Sequence, residues 1–398
     1  MKFVLPRVMV GNRGDLASRW GLLHALHNLG VEDVVVFSQF PEDVPAGLYP
    51  RLPYGKSHNL RLDKSGRHAL AEADVVMWAV GLDLQDDSSL ARMLYLCIAF
   101  GVYRQMGKRI WCVFQGGGPV TTRLGAITAR QVLKQVDWFV ARDPGTQRLV
   151  QHLLPSTPLK LGYDAIFLPG FEGEFDSSIE LPGWYAGLWD GSRPVIGLNI
   201  RQWFHFSHSL LPYEFSKKKY LQRSLTRMQQ LLDAITVSVS QLRQRFQARL
   251  LLISAYQPGV VPWEDDLTWL EQLKARFADD PQVVLLNETI PMPLYFQLMS
   301  RLDLMIAMRL HSSLVALRFG VPAINLSYTL KGKDIYDYLG LAENVAALPE
   351  VLSEPERIMN MVERILSNSA SERDRTRRVV DQVVEQNNRL LWEMLKSQ

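Results

Sequence analysis

Between residues 303 and 341 the chain twice makes the same passage, from a short apolar run into a helix that opens on cationic side chains. Residues 303–307 read as a buried strand running into Arg309, Leu310 and His311. Ser312 and Ser313 then open a helix with Leu310, Leu314 and Leu317 on its apolar stripe, stopped at Gly320. Residues 321–326 form the next strand, and residues 328–333 the loop that starts another helix. Strand, helix, strand in succession commits the chain to parallel pairing. Each junction gathers free backbone N–H groups and the positive end of a helix, an anion site before any side chain is counted. Arg309, His311, Lys331 and Lys333 stand at these junctions.

A chain of 398 residues exceeds the size at which a single core stops growing, so two domains are expected. Charged residues at 21% and hydrophobic ones at 47% are ordinary for a globular protein. A net charge of +3, with no arginine-rich tail, argues against nucleic acid as a partner. Cys97 and Cys112 lack metal-ligand spacing and fit a reducing cytoplasm. No apolar run reaches the roughly 18 residues of a membrane span. The longest, residues 93–103, is broken by Gly101 and reads as a buried helix. Residues 1–10 pass straight into Gly11-Asn12-Arg13-Gly14-Asp15, as a first strand does and a signal peptide does not.

The rest of the chain alternates in the same way. A strand over residues 2–10 leads through the Gly11–Asp15 turn to a helix over 16–28 closed by Gly30, with Asp15 either capping the helix or facing a ligand. The turn lacks Gly-x-Gly-x-x-Gly spacing, so it does not point to a dinucleotide. A strand at 33–37 precedes a Pro-, Gly- and Arg-rich loop over 38–67. Strand 74–80 and helix 88–105 lead to strand 109–114, which empties into Gln115-Gly116-Gly117-Gly118-Pro119. Three glycines there permit close backbone approach or positive φ. Strand 137–141 ends at Arg142-Asp143, where Arg142 reaches a cleft or forms an internal ion pair. Residues 171–193, without periodicity, are the expected linker between domains at 1–170 and 194–352, and residues 353–398 add C-terminal helices. Strand 194–200 delivers Asn199, Arg201 and Trp203 to its carboxyl end, where open α/β sheets bind ligands. An aromatic cluster from Trp203 to Phe215, followed by Lys217-Lys218-Lys219, suits an acceptor-binding lip, a membrane-touching face, or a partly buried loop. A helix over 371–395 carries Val380, Val384, Leu391 and Met394 on one face.

Arg-Leu-His-Ser-Ser from residue 309, Phe-Gly-Val-Pro-Ala-Ile from 319, Tyr328 and Lys331 together resemble the C-terminal signature of the polysaccharide pyruvyltransferase family. The Gly-Asn-x-Gly-Asp loop at 11, the Gly-Gly-Pro loop ending at Pro119, Arg142-Asp143 and the Asp164-x-x-Phe167 segment are similar to further family elements. Only Gly81 stands where family members often carry a glycine-rich turn. The resemblance implies two Rossmann-like domains with parallel sheets facing across a cleft, similar to GT-B glycosyltransferases, and a last helix crossing back to the first domain. It also implies transfer of the enolpyruvyl group of phosphoenolpyruvate to sugar hydroxyls of a glycan or lipid-linked precursor, usually closing a cyclic ketal; no metal constellation is visible in the residues, so neither a metal nor a cofactor is expected.

That chemistry gathers two anions on one small frame, protonates a methylene carbon and expels phosphate, so fixed cations and one group titrating near neutrality are needed. His311 is, of the eight histidines, the one at such a junction beside other cations, and is the expected acid–base group. Arg201 matches the family's phosphoenolpyruvate-contacting arginine, with Arg309, Leu310, Ser312, Lys331, Lys333 and Arg142 around the same ligand. Asn12, Asp15, Gln115, Gly116, Gly117, Gly118 and Trp203 are the expected acceptor side. The rival enzyme, a GT-B nucleotide-sugar glycosyltransferase, wants a late acidic residue for ribose hydroxyls, and Glu343 is the candidate. A non-catalytic relative in glycan assembly is the third reading.

Overall fold

Apolar runs without alternation require burial on both faces, and the chain supplies it by covering two parallel sheets with helices. The structure, a computed structural model, describes residues 1–8, 11–40, 44–53, 64–87, 89–170, 183–202, 213–256, 266–354 and 356–396. The first sheet is built from β1 (Phe3–Leu5), α1 (Arg13–Asn28), β2 (Val34–Ser38), β3 (Arg51–Pro53), α2 (Lys64–Glu72), β4 (Val75–Ala79), β5 (Leu82–Leu84), α3 (Leu90–Gln105), β6 (Arg109–Gly117), α4 (Arg123–Leu133), β7 (Trp138–Ala141), α5 (Pro144–Leu153) and β8 (Leu159–Leu161). Its order is β3-β2-β1-β4-β6-β7-β8, with β5 paired to β6. After α6 (Gly183–Ala186), the second sheet takes β9 (Val195–Asn199), α7 (Tyr213–Phe246), β10 (Arg249–Ile253), α8 (Leu267–Ala275), β11 (Val283–Leu286), α9 (Met292–Ser300), β12 (Leu304–Ala307), α10 (Leu310–Arg318), β13 (Ala323–Ser327), α11 (Leu330–Tyr338) and β14 (Val345–Ala347). Its order is β11-β10-β9-β12-β13-β14. Helices α12 (Leu348–Ser353), α13 (Glu356–Ser367) and α14 (Ser369–Lys396) close the chain.

Both sheets reverse direction beside their first strand, between β1 and β4 and between β9 and β12. Those switch points open crevices at the carboxyl ends of the strands. One apolar cluster runs through both halves. Leu16 and Trp20 of α1 share it with Phe296 of α9 and Leu314 and Leu317 of α10, and the Trp20 and Phe296 rings meet edge-on at 5.7 Å. The same contact brings the loop before α1 against the start of α10.

Several elements differ from the sequence reading. β1 stops at Leu5 because Pro6 has no N–H to donate to a ladder. α1 starts at Arg13, capped by Asn12, whose Oδ1 accepts from Gly14 N at 3.0 Å and Asp15 N at 3.3 Å. Asp15 is therefore free of the capping role and lies in the first turn. β6 continues past Phe114 through Gly116 and Gly117, which pair with Leu82 and Leu84 of β5. Gly118 alone of the three takes positive φ, at 77°. The loop expected over 38–67 contains β3, and α2 begins within it at Lys64. On α14 the buried face carries Val383 rather than Val384, and Asn387. Asn387 ties this helix back to the first half: its Nδ2 donates to Asp164 O at 3.0 Å and its Oδ1 accepts from Tyr163 N at 2.8 Å.

Candidate active site

Only Met308 and Arg309 separate β12 from α10, so His311 lies in the first turn of a helix pointing at the first domain. Gly14 of α1 approaches it so closely that a Cβ there would lie 2.1 Å from the His311 Cβ. The second glycine of Gly-Asn-Arg-Gly-Asp is thus a packing requirement of the histidine. Arg13 holds the junction from the other side. Its Nη1 donates to Ser254 O at 2.9 Å and its Nη2 to Glu288 O at 3.2 Å, both in the second domain.

The imidazole sits among three charged groups from the first domain. Its Nε2 is 3.1 Å from Asp164 Oδ2 and 3.0 Å from Arg142 Nη1, and its Nδ1 is 3.6 Å from Asp15 Oδ1. Arg142 Nη1 also donates to Asp164 Oδ2 at 2.8 Å, and Ser18 Oγ to Asp164 Oδ1 at 2.6 Å. Burial alone would raise the Asp164 carboxyl, but the charges of His311 and Arg142, with hydrogen bonds from His311 and Ser18, hold it well below the usual carboxylate range. The geometry serves two protonation states. A neutral imidazole accepts at Nε2 from Arg142, and an imidazolium donates there to Asp164. Arg142 is therefore internally paired, with Asp164 rather than its neighbour Asp143, whose oxygens accept from the Thr146 N and Oγ1 at the start of α5.

Neighbouring strand ends bring further cations. Arg201, just beyond β9, donates from Nη1 to the Tyr328 hydroxyl at 2.6 Å and lies 5.0 Å over that ring. Lys331, in the first turn of α11, reaches across to donate to the Gly118 carbonyl. Its amine is pushed down to about 8, first by burial and then by the Arg142 charge. Gly332 beside it has no room for a side chain, since a Cβ would lie 2.3 Å from Asn325 Oδ1. The stacked rings of Tyr163 and Tyr338, 4.2 Å apart, close the two domains together on the same side.

Several residues expected at the ligand do something else. Arg309 is buried, and its guanidinium turns onto Asp266, with Nη2 2.7 Å from Oδ1, while its backbone N–H donates to Asn199 Oδ1 at 3.0 Å. Gln115 is buried and donates to Trp78 O of β4 at 3.0 Å and to Val80 O just beyond it at 2.9 Å, so its amide ties β6 to its neighbour instead of lining a cleft. Asn12 caps α1. Gly116 and Gly117 stay in β6, where a Cβ on Gly116 would meet the Arg142 guanidinium at 2.9 Å. Leu310 packs on the core, Ser312 is buried, and Lys333 is exposed. Trp203 and the aromatic cluster through Pro212 lie outside the described residues. Asp164, Ser18 and Asp266 carry much of the arrangement without having been given a role from sequence. Their signal is spatial, a buried carboxylate facing a cation far along the chain. Among the described residues no group of three or more His, Cys, Asp or Glu is placed to hold a metal ion.

Two facing parallel sheets with a charged cleft at their carboxyl ends are a GT-B arrangement, and solved structures share it. Anabaena HepE in complex with UDP and glucose superposes with a TM-score of 0.59 at 12% identity, covering 100% of both chains. The UDP-GlcNAc 2-epimerase of Neisseria meningitidis bound to UDP-GlcNAc gives 0.56 at 11%, again over 100% of both. That of Methanocaldococcus jannaschii gives 0.54 at 11%, over 91% of this chain and 92% of its own. At such identities the likeness is one of fold. The family model for polysaccharide pyruvyl transferase matches residues 12–329, from the helix-capping Asn12 to the start of α11, and the chain belongs to that family. No curated protein sequence matches it.

Proposed function

We propose that the protein transfers the enolpyruvyl group of phosphoenolpyruvate to hydroxyls of a sugar, free or lipid-linked, closing a pyruvate ketal and releasing phosphate. The observation that carries this reading is His311 held between Arg142 and Asp164, with Arg201 and Lys331 at neighbouring strand ends. Arg201 and Lys331 bind the phosphate and carboxylate, Arg201 releasing the Tyr328 hydroxyl as it does so. His311 gives a proton to the methylene carbon while the sugar hydroxyl attacks the adjacent carbon. Asp164 and Arg142 fix the ring in both of its protonation states. The attacking hydroxyl's proton returns to His311, phosphate leaves the tetrahedral intermediate, and a second hydroxyl closes the ketal, its proton passing to the departing phosphate.

The nucleotide-sugar alternative draws on the ligands of the solved relatives, but its ribose-binding candidate is misplaced. Glu343 precedes β14 and so lies at the amino edge of the second sheet, ion-paired with Arg375 of α14. A thermal melt separates the two. Ligand at 100 times its dissociation constant stabilises the fold by about 2.7 kcal/mol. Phosphoenolpyruvate should raise the melting temperature, with pyruvate and inorganic phosphate each doing much less, and Arg201→Ala should abolish the shift. His311→Ala should keep the shift and lose about 10²–10⁴-fold in turnover. Strong stabilisation by a uridine or guanosine diphosphate, with none by phosphoenolpyruvate, would overturn the assignment.

A further inference from the structure

The outer face of α3 and α4 exposes large apolar side chains in a regular stripe. On α3, Leu94, Ile98, Val102 and the capping Met106 recur every four residues and are 38%, 56%, 37% and 37% exposed. On the adjacent α4, Leu124 and Ile127 are 49% and 55% exposed. Six such groups on two helices packed against each other make an apolar surface of the kind soluble proteins rarely carry without a partner.

The charge around the patch identifies the partner. Neither α3 nor α4 contains an aspartate or glutamate, while Arg92, Arg123, Arg130 and Lys134 are exposed along it. The carboxylates nearest in sequence are engaged or turned elsewhere. Asp86 is buried under Thr121 and Thr122, Asp137 is paired with Arg104 at 2.7 Å, and the half-buried Asp87 acts on Lys331. A second copy would fit poorly, because a two-fold interface sets the same basic rim against itself. An anionic bilayer supplies what the face lacks, apolar depth for the stripe and negative charge for the rim. Both helices begin at the carboxyl edge of the first sheet, just after the segments that carry Asp87 and Gly118 to Lys331. The patch therefore runs up to the mouth of the cleft.

We infer that the α3–α4 face docks on an anionic lipid surface and presents the cleft mouth to it. The inference stands independently of the transfer reaction, because binding is read without turnover. The full chain should co-sediment with vesicles of mixed phosphatidylglycerol and phosphatidylcholine and not with phosphatidylcholine alone, and added salt should weaken it. Ile98→Glu with Ile127→Glu should cut vesicle binding by about tenfold or more. Both sites are exposed, so the melting temperature should hold. Arg123→Ala, Arg130→Ala and Lys134→Ala together, with the apolar stripe intact, should remove the preference for anionic lipid. Failure of the wild-type chain to bind mixed vesicles, or equal binding by the Ile98/Ile127 variant, would overturn the inference. So would a dimer in sedimentation equilibrium that the same variant dissociates, which would make a second copy the occupant.

Discussion

His311 owes its position to a residue with no side chain. Gly14 lies in the first turn of α1, where any residue could adopt the backbone, yet a Cβ there would sit 2.1 Å from the His311 Cβ. That is a collision between main-chain-proximal atoms, which no rotamer relieves. Gly14→Ala should therefore destabilise the fold by about 1–3 kcal/mol, the usual cost of overpacking, and displace the imidazole. Denaturant titration of Gly14→Ala, His311→Gly and the double variant checks it. The double variant should lose clearly less than the sum of the singles, since His311→Gly removes the atom that the new Cβ at position 14 would meet. Additive losses would mean the two residues do not meet. The sequence could show that Gly14 follows a strand, but not that a helix some 300 residues later needs the space.

Among the elements, α14 illustrates what a polar residue on an apolar stripe can do. Asn387 is fully buried and replaces the missing partners of a chain that has left the sheet, pairing with both Tyr163 N and Asp164 O. Asn387→Leu would leave that donor and acceptor buried and unpaired, at about 1–3 kcal/mol each. A melting temperature well below wild type is expected, with catalysis impaired more than folding because Asp164 loses its backbone anchor. An unchanged melt would refute this role. Parallel strands and their helices were legible because residues such as 250–253 and 304–307 are apolar on both faces and glycines such as Gly30 and Gly320 stop the helices. The junction cations were legible as well, since Arg201, His311 and Lys331 each follow a strand. Their partners were not. Whether Arg142 pairs with Asp143 or Asp164, or Arg309 with Asp266, depends on which chain ends the topology brings together, and spacing carries no trace of that. The extension of β6 through Gly116 and Gly117 was hidden by the low strand propensity of glycine, overridden here by pairing with β5.

At the scale of the whole molecule, Lys331 is a cleft cation that spans the two domains, its helix in one and its hydrogen-bond acceptor, Gly118, in the other. Its amine is pushed down to about 8 by burial and by Arg142, against about 10.4 for an unfolded lysine. Between these values the unfolded chain holds the proton more tightly, so this residue's contribution makes the fold more stable as pH rises through the window. Bound phosphoenolpyruvate reverses the preference, because its negative charge faces Lys331 and favours keeping the proton. Affinity for phosphoenolpyruvate should therefore be greatest below about pH 8 and fall above it, and binding at about pH 9 should take up protons. The ligand phosphate is itself ionised throughout this range, so it contributes little to the slope. Titration calorimetry at that pH, in two buffers of different ionisation enthalpy, measures the uptake directly. Lys331→Met should bind more weakly at neutral pH and show neither the slope nor the uptake. A wild-type affinity that is flat from about pH 7 to 9.5, with no proton taken up, would remove Lys331 from the anion site and leave it as a strut between the domains.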